Sequence, residues 1–300
     1  MAAAGSIQRE ERTWTVLEAL DWTRAYLAEK NDEHPRLSAE WLLSAATGLS
    51  RIEQYAYHDR PLTLEERAAL REGVARRAKG EPLQYVTGEV PFRHLVLRIV
   101  PGVFIPRPET EVLVEAVLRH LDDSAVAEPV VVDLCTGSGA VALAIAQERP
   151  TARVWATEIT PQGAALARDN AERAGVADRV TVLEGDLFAP VPAELRGRMD
   201  VVVANPPYIP TKDLAALPLE VAAFEPTGAL DGGPCGMDVI ERIMSEAREW
   251  LAPRGALAIE TDAARVRDAA SAMSAWYECV SVGQDLTGRD RIAIGTRREA

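Results

Sequence analysis

Between residues 130 and 204 the chain returns four times to a short run of β-branched and small apolar residues, each closed by a polar or turn-forming residue. The runs are Val130-Val131-Val132-Asp133-Leu134, Arg153-Val154-Trp155-Ala156-Thr157, Val180-Thr181-Val182-Leu183 and Val201-Val202-Val203-Ala204. Near-continuous apolar runs of this length read as strands buried on both faces. Residues 140–148 form a small-residue helix between the first two, and a second helix runs from the cap and proline of Thr160-Pro161 to Gly175. Strands alternating with helices predict an α/β fold built on a mostly parallel sheet. In such sheets ligands bind at the carboxyl ends of the strands, so the residues that follow each run are the candidates for chemistry.

After residues 201–204 come Asn205, Pro206, Pro207 and Tyr208. The prolines end the strand because neither donates to a sheet ladder, and Pro206 holds Asn205 extended. An amide, a rigid carbonyl and an aromatic ring are thus offered at the sheet edge. Asn-Pro-Pro-Tyr resembles the signature of methyltransferases that modify a nitrogen held in a planar, conjugated system, and the chemistry explains these residue types. The Asn205 side-chain oxygen and the Pro206 carbonyl accept the two hydrogens of an NH2 group, Tyr208 stacks on its flat face, and the lone pair is aimed at the incoming methyl. Asn205, Pro206 and Tyr208 are the predicted catalytic residues, and all four residues of the motif are predicted to hold the substrate.

The first run feeds a tight loop, Cys135, Thr136, Gly137, Ser138 and Gly139, and then the helix. Glu158 closes the second strand about twenty residues on, where an acid accepts ribose hydroxyls. Asp186 and Leu187 follow the third strand and suit an adenine amine and its flat face. The loop lacks Gly-x-Gly-x-x-Gly spacing, and Asp133 just before it favours a cationic cofactor, such as a sulfonium-bearing amino acid, over a pyrophosphate; a dinucleotide dehydrogenase therefore fits poorly. The predicted cofactor set is Asp133, Cys135, Thr136, Gly137, Ser138, Gly139, Glu158, Asp186, Leu187 and Asn205.

The rest of the chain frames this domain. Residues 13–80 read as helices, with Ser38 as a cap before Trp41 and with capping boxes at Ser50/Glu53 and Thr63/Glu66. Trp14, Trp22 and Trp41 are expected in the core of that bundle, and Arg67, Arg71, Arg76, Arg77 and Lys79 on a solvated face. Residues 81–102 alternate like a hairpin. A helix is expected over residues 112–120, then, beyond the motif, a long loop over residues 225–236 as a lid and a helix from Asp238 to Trp250. A turn at Pro253-Arg254-Gly255, a strand over 256–260 and a last strand over 291–295 complete the reading.

The net charge of -13 disfavours a protein that grips phosphate backbones over a broad surface. Residues 1–90 carry 12 Lys and Arg against 15 Asp and Glu, so that end adds no positive charge. Three scattered cysteines, Cys135, Cys235 and Cys279, support neither a disulfide framework nor a metal site. Neither a membrane span nor, in Met1-Ala2-Ala3-Ala4-Gly5 and the polar residues 8–12, a signal-peptide core is read, so a cytoplasmic protein is expected.

Six segments together resemble the PrmC or HemK family of peptide chain release factor N5-glutamine methyltransferases over nearly the full length. They are Arg36-Leu37-x-Ala39-Glu40-x-Leu42-Leu43, Gly80-Glu81-Pro82-Leu83-Gln84-Tyr85, Ile105-Pro106-Arg107-Pro108-Glu109-Thr110-Glu111, Asp133-Leu134-x-Thr136-Gly137-Ser138-Gly139, Asn205-Pro206-Pro207-Tyr208-Ile209 and Leu230-Asp231-Gly232-Gly233. The resemblance implies a helical bundle for substrate recognition (residues 1–80), a hairpin linker (81–104) and a class I S-adenosylmethionine-dependent methyltransferase domain (105–300), Rossmann-like with a seven-stranded, mostly parallel sheet. S-adenosyl-L-methionine is the implied cofactor, and the Gly-Gly-Gln glutamine of class I release factors the implied substrate. A monomer is expected, with no membrane partner, no direct nucleic-acid substrate and no metal. The alternatives are an amino-methyltransferase acting on adenine or guanine, and an idle cofactor-binding scaffold, which the intact motif opposes. Three departures stand out: Cys135 where glycine is common, Glu158 where aspartate is common, and Glu260-Thr261-Asp262 where Glu-Ile-Gly is usual. The last touches the edge of the cofactor pocket.

Overall fold

The computed structural model describes residues 13–124 and 126–298; the expectation about the amino-terminal residues 1–12 lies outside them. The chain divides into two compact units, Met1–Thr87 and Gly88–Ala300. Among the described residues no helix is long and apolar enough to cross a membrane.

The first unit is helical: α1 Val16–Glu29, α2 Pro35–Thr47, α3 Arg51–Ala56, α4 Leu64–Arg77 and α5 Leu83–Thr87. Three helices start at complete capping boxes, Thr15/Glu18, Ser50/Glu53 and Thr63/Glu66. In each, a hydroxyl accepts an orphan N–H while the glutamate reaches back to the cap N–H. Apolar faces of α1, α2 and α4 meet through Val16, Leu20, Leu27, Leu42, Leu43, Leu70 and Val74.

Several expectations here are corrected. Ser38 caps nothing: Pro35 at the first position starts α2 a turn earlier, and the buried Ser38 hydroxyl donates to Asp32. None of the three tryptophans is fully buried, although Trp14 packs against the core of the bundle. Trp22 is 45% exposed and stacks on Tyr26 at 5.1 Å, with Trp14 edge-on to it. The basic cluster is only partly solvated. Arg76 is paired with Glu81, and Arg77, 10% exposed at its side chain, is paired with Asp32.

The hairpin expected over 81–102 is confined to β1 Glu89–Phe92 and β2 Leu95–Arg98, because residues 83–87 are helical; it opens the second unit and is followed by a single tight turn at Pro108–Thr110 and a helix α6 Glu111–Ser124. The alternation then proceeds as β3 Val130–Leu134, α7 Ala140–Glu148, β4 Arg153–Glu158, α8 Pro161–Arg173, β5 Val180–Glu184, β6 Met199–Ala204, α9 Leu219–Phe224, α10 Asp238–Trp250, β7 Leu251–Glu260, α11 Val266–Met273, β8 Tyr277–Gln284 and β9 Asp290–Arg297. Among the described residues seven strands form one sheet in the order β5-β4-β3-β6-β7-β9-β8, parallel except where β9 runs antiparallel to both neighbours.

Pro253-Arg254-Gly255 is not a free turn. It lies within β7, where Arg254 takes a positive φ and the register against β6 shifts from Met199↔Leu251 to Val201↔Ala256. The loop expected over 225–236 is irregular apart from a 3-10 turn at Thr227–Ala229, and it is preceded by a 3-10 turn at Thr211–Ala216 and by α9.

The strand order reverses direction between β3 and β6, a topological switch point, so the crevice at their carboxyl ends is where this sheet accommodates a ligand. The register makes the crevice level. Leu134 pairs with both Thr157 and Ala204, and Ala204 pairs with Ile259, so Cys135, Glu158, Asn205 and Glu260 leave four adjacent strands side by side.

Candidate active site

A cavity of ≈ 460 Å³ opens at this edge, within the range that holds a nucleoside-sized ligand. Of the residues singled out from the sequence, Asp133, Cys135, Thr136, Gly137, Ser138, Glu158, Asp186, Leu187, Asn205, Pro206, Pro207 and Tyr208 line it. Gly139 does not. It caps α7 with φ +89°, and a Cβ there would meet Leu143 at 3.1 Å and Ala167 at 3.4 Å, so its role is to let the loop turn tightly against α7 and α8.

The loop over residues 135–139 is held from three sides. Buried Asp133 accepts from the Thr136 hydroxyl at 2.5 Å and from the Ala142 N–H at 3.1 Å, tying the loop to the first turn of α7. Burial pushes the Asp133 carboxyl up to about 7, and these two bonds oppose that rise. The Thr136 N–H donates to the Thr157 carbonyl, and the Asn170 amide donates to the Ser138 carbonyl while bracing β2 through Arg98. Cys135 stands in the left-handed region at φ +59°, where glycine would sit without penalty and a side chain costs roughly 1–2 kcal/mol. Burial, reinforced by the carboxylates of Glu158, Asp133 and Asp186, pushes its thiol well above the usual range.

Glu158 is more occupied than its sequence position suggests. One carboxylate oxygen accepts the Gly137 N–H at 3.0 Å; the other accepts the Thr160 N–H and hydroxyl at 2.9 and 2.7 Å. With two lone pairs per oxygen, one acceptor direction remains for a ligand hydroxyl. Asp186 is likewise shared, taking the Arg242 guanidinium on both oxygens at 3.4 and 2.7 Å. Arg242 and Thr110 also line the cavity, though neither is among the site residues expected from the sequence. Among the described residues no group of three or more His, Cys, Asp or Glu is placed to hold a metal ion.

On the other wall, the Asn205 amide donates through Nδ2 to Thr110 Oγ1 at 3.2 Å, and Thr110 donates to Glu260 Oε1 at 3.1 Å. Glu260 is 2% exposed and its second oxygen is buried without a partner. Burial raises its carboxyl to about 7, against the pull of Thr110 and Arg291. Tyr208 is pushed up to about 12 by burial and by Glu260, so its phenol is neutral at physiological pH.

The segment after β6 is locked from behind. The Ile209 N–H donates to the Leu230 carbonyl at 2.9 Å and the Gly232 N–H to the Ile209 carbonyl at 2.8 Å. Pro226, Gly228, Ala229 and Leu230 complete the cavity wall. Buried Glu225 anchors that wall, pairing with Arg107 and accepting the Ile105 N–H.

The donor set decides what fits. Three carboxylates and one arginine, itself paired, line the cavity, which opposes a pyrophosphate and suits a cation with hydroxyls and an amine. S-adenosylmethionine has that chemistry.

Comparison with known proteins agrees with this geometry. Residues 18–88 match the PrmC N-terminal domain and residues 96–219 the Methyltransferase small domain. A protein of Geobacter sulfurreducens named release factor glutamine methyltransferase is 46% identical over 284 residues, 94% of this chain and 96% of that protein. Proteins of the same name from Moorella thermoacetica and Mycolicibacterium smegmatis are 43% and 44% identical, covering 95% and 93% of this chain and 99% and 96% of their own length. The chain belongs to the release factor glutamine methyltransferase family.

Proposed function

We propose that this chain transfers a methyl group from S-adenosyl-L-methionine to the side-chain amide nitrogen of the glutamine in the Gly-Gly-Gln motif of class I release factors. One observation carries the reading: a single cavity joins an acid-lined half, suited to the cofactor, to a half where Asn205 presents an amide whose Nδ2 is already committed to Thr110. The kinship with release factor glutamine methyltransferases supports the substrate.

The cofactor, when bound, supplies an electrophilic methyl on a sulfonium. On this reading the loop of Cys135, Thr136, Gly137 and Ser138 wraps its amino-acid part, with Gly139 shaping the turn and Asp133 bracing it. Glu158 accepts a ribose hydroxyl with the lone pair left to it, and Asp186 and Leu187 frame the adenine. Asn205 Oδ1 and the Pro206 carbonyl accept the two hydrogens of the glutamine NH2, Tyr208 covers its flat face, and Pro207 stiffens the segment. Held this way the amide needs alignment rather than a strong base.

Residues 1–80 act in this reading as the substrate-recognition module, 81–104 as the linker and 105–300 as the catalytic domain; the enzyme works as a cytoplasmic monomer. Incubation with methyl-labelled cofactor and, separately, a release factor, its Gly-Gly-Ala variant, tRNA and DNA tests it. Label on the release factor alone is expected. Label on either nucleic acid at a matching rate overturns it in favour of a base methyltransferase.

A further inference from the structure

The Asn205 amide is nearly symmetric in shape, yet only one of its two orientations helps the reaction. With Oδ1 facing the substrate, the site accepts hydrogens from an NH2. With Nδ2 facing it, donor meets donor and the nucleophile is turned away. Packing separates these orientations poorly, because oxygen and nitrogen differ little in size. Hydrogen-bond direction separates them well.

Asn205, Thr110 and Glu260 form a chain at 3.2 and 3.1 Å that joins the end of β6, the turn before α6 and the end of β7. Above about pH 7, where its raised carboxyl is ionised, Glu260 has no hydrogen to give. Thr110 has one, and spends it on Glu260, so its Oγ1 is left only to accept. Asn205 must then offer Nδ2 to Thr110, and the planar amide turns Oδ1 the opposite way. Thr110 is 3% exposed and Glu260 2%, so water does not compete for either bond. We propose that Thr110 and Glu260 are positioning residues, a one-directional relay that fixes which pole of the Asn205 amide faces the substrate. The inference rests on the proposed role of Asn205 as the acceptor of the substrate's NH2.

Thr110→Val keeps the shape and removes both donor and acceptor. Under single turnover with both substrates saturating, the rate is expected to fall roughly 10–100-fold while cofactor affinity stays within about twofold. Thr110→Ser, which keeps the hydroxyl, is expected to recover the rate to within about fivefold. A Thr110→Val rate within about twofold of the parent, a serine variant no better than valine, or a loss shared equally by cofactor affinity overturns the relay.

A double-mutant cycle read by thermal unfolding tests it without activity. Asn205→Asp sets two carboxylates against one hydroxyl; adding Glu260→Gln lets the chain start from the other end. The double variant is expected to melt above the sum of the two single-variant shifts, and additive effects contradict the relay. Absence of parental activity on the release factor defeats the functional reading, whereas the melting cycle judges the relay independently.

Discussion

Gly232 lies behind the substrate-holding segment with no room for a side chain. A Cβ built there meets the Pro207 carbonyl oxygen at 2.8 Å, the Tyr208 Cα at 2.8 Å and the Gly236 Cα at 2.9 Å, all backbone atoms that no rotamer change can move. Comfortable contact begins near ~3.5 Å, so Gly232→Ala pushes the Pro207–Tyr208 backbone away by about 0.7 Å. Overpacking of this kind costs about 1–3 kcal/mol of stability. A 1 Å misplacement of a reacting geometry costs on the order of 10²-fold in rate, so a shift of this size next to Pro206 and Tyr208 is expected to slow methyl transfer by about 10-fold or more. The cofactor half of the cavity is built from other loops, and its affinity should stay near the parental value. Gly283→Ala is the control, since its nearest neighbour, Ile292 Cβ, is at 3.4 Å. Chemical denaturation, cofactor calorimetry and single-turnover transfer read the three quantities. Parental rate and stability for Gly232→Ala would refute the claim that this glycine fixes the substrate segment.

Other outcomes follow from the same geometry. Glu158→Ala strips the Gly137 and Thr160 N–H groups of their acceptor along with any ribose partner, and cofactor affinity should fall by about 10-fold or more; calorimetry showing no change rejects the assignment. Asp133 and Glu260 are both raised to about 7, above their unfolded values, so the folded protein binds more protons and their contribution to stability is lost as pH rises from about 4 through about 7. Glu260→Gln should therefore gain on the parent in unfolding free energy from urea denaturation between about pH 4 and about pH 7, by up to ~1.4 kcal/mol per pH unit, and a pH-independent gap contradicts this. Cys135, its thiol raised by burial, should alkylate slowest of the three free cysteines, Cys235 and Cys279 being exposed; peptide mapping that finds it as fast as Cys235 contradicts the placement.

What was legible in the sequence was what local chemistry decides. Buried parallel strands announce themselves as runs such as residues 130–134 and 201–204, and the capping boxes at Ser50 and Thr63 close within four residues. β8 was missed because it is a solvated edge strand, with Glu278, Cys279 and Ser281 exposed and an irregular register around Cys279 at φ +51°. The short helix α11 was missed too, its apolar face resting on Val266, Ala269, Ala270 and Met273 in an otherwise polar stretch. Ser38 misled because a capping residue was in view while Pro35 had already started the helix.

The site divided the same way. Residues that directly follow strands were found, whereas their partners come from far along the chain: Thr110 is 95 residues from Asn205 and 150 from Glu260, and Arg107 is 118 from Glu225. No spacing rule links such pairs. Arg242 belongs to the same class, placed on α10 beside Asp186, 56 residues earlier.

The central claim is that Asn205 aims the nucleophile rather than merely ending β6, and single-turnover methyl transfer with both substrates saturating tests it most directly. Asn205→Ala should keep the fold, change cofactor affinity only modestly and lower the rate on the order of 10²–10³-fold, the loss expected for one preorganised polar group. Asn205→Asp keeps an acceptor but adds a negative charge that stabilises the cationic ground state more than the charge-dispersed transition state, so its rate should fall as well. Rates within about twofold of the parent for both variants would contradict the account.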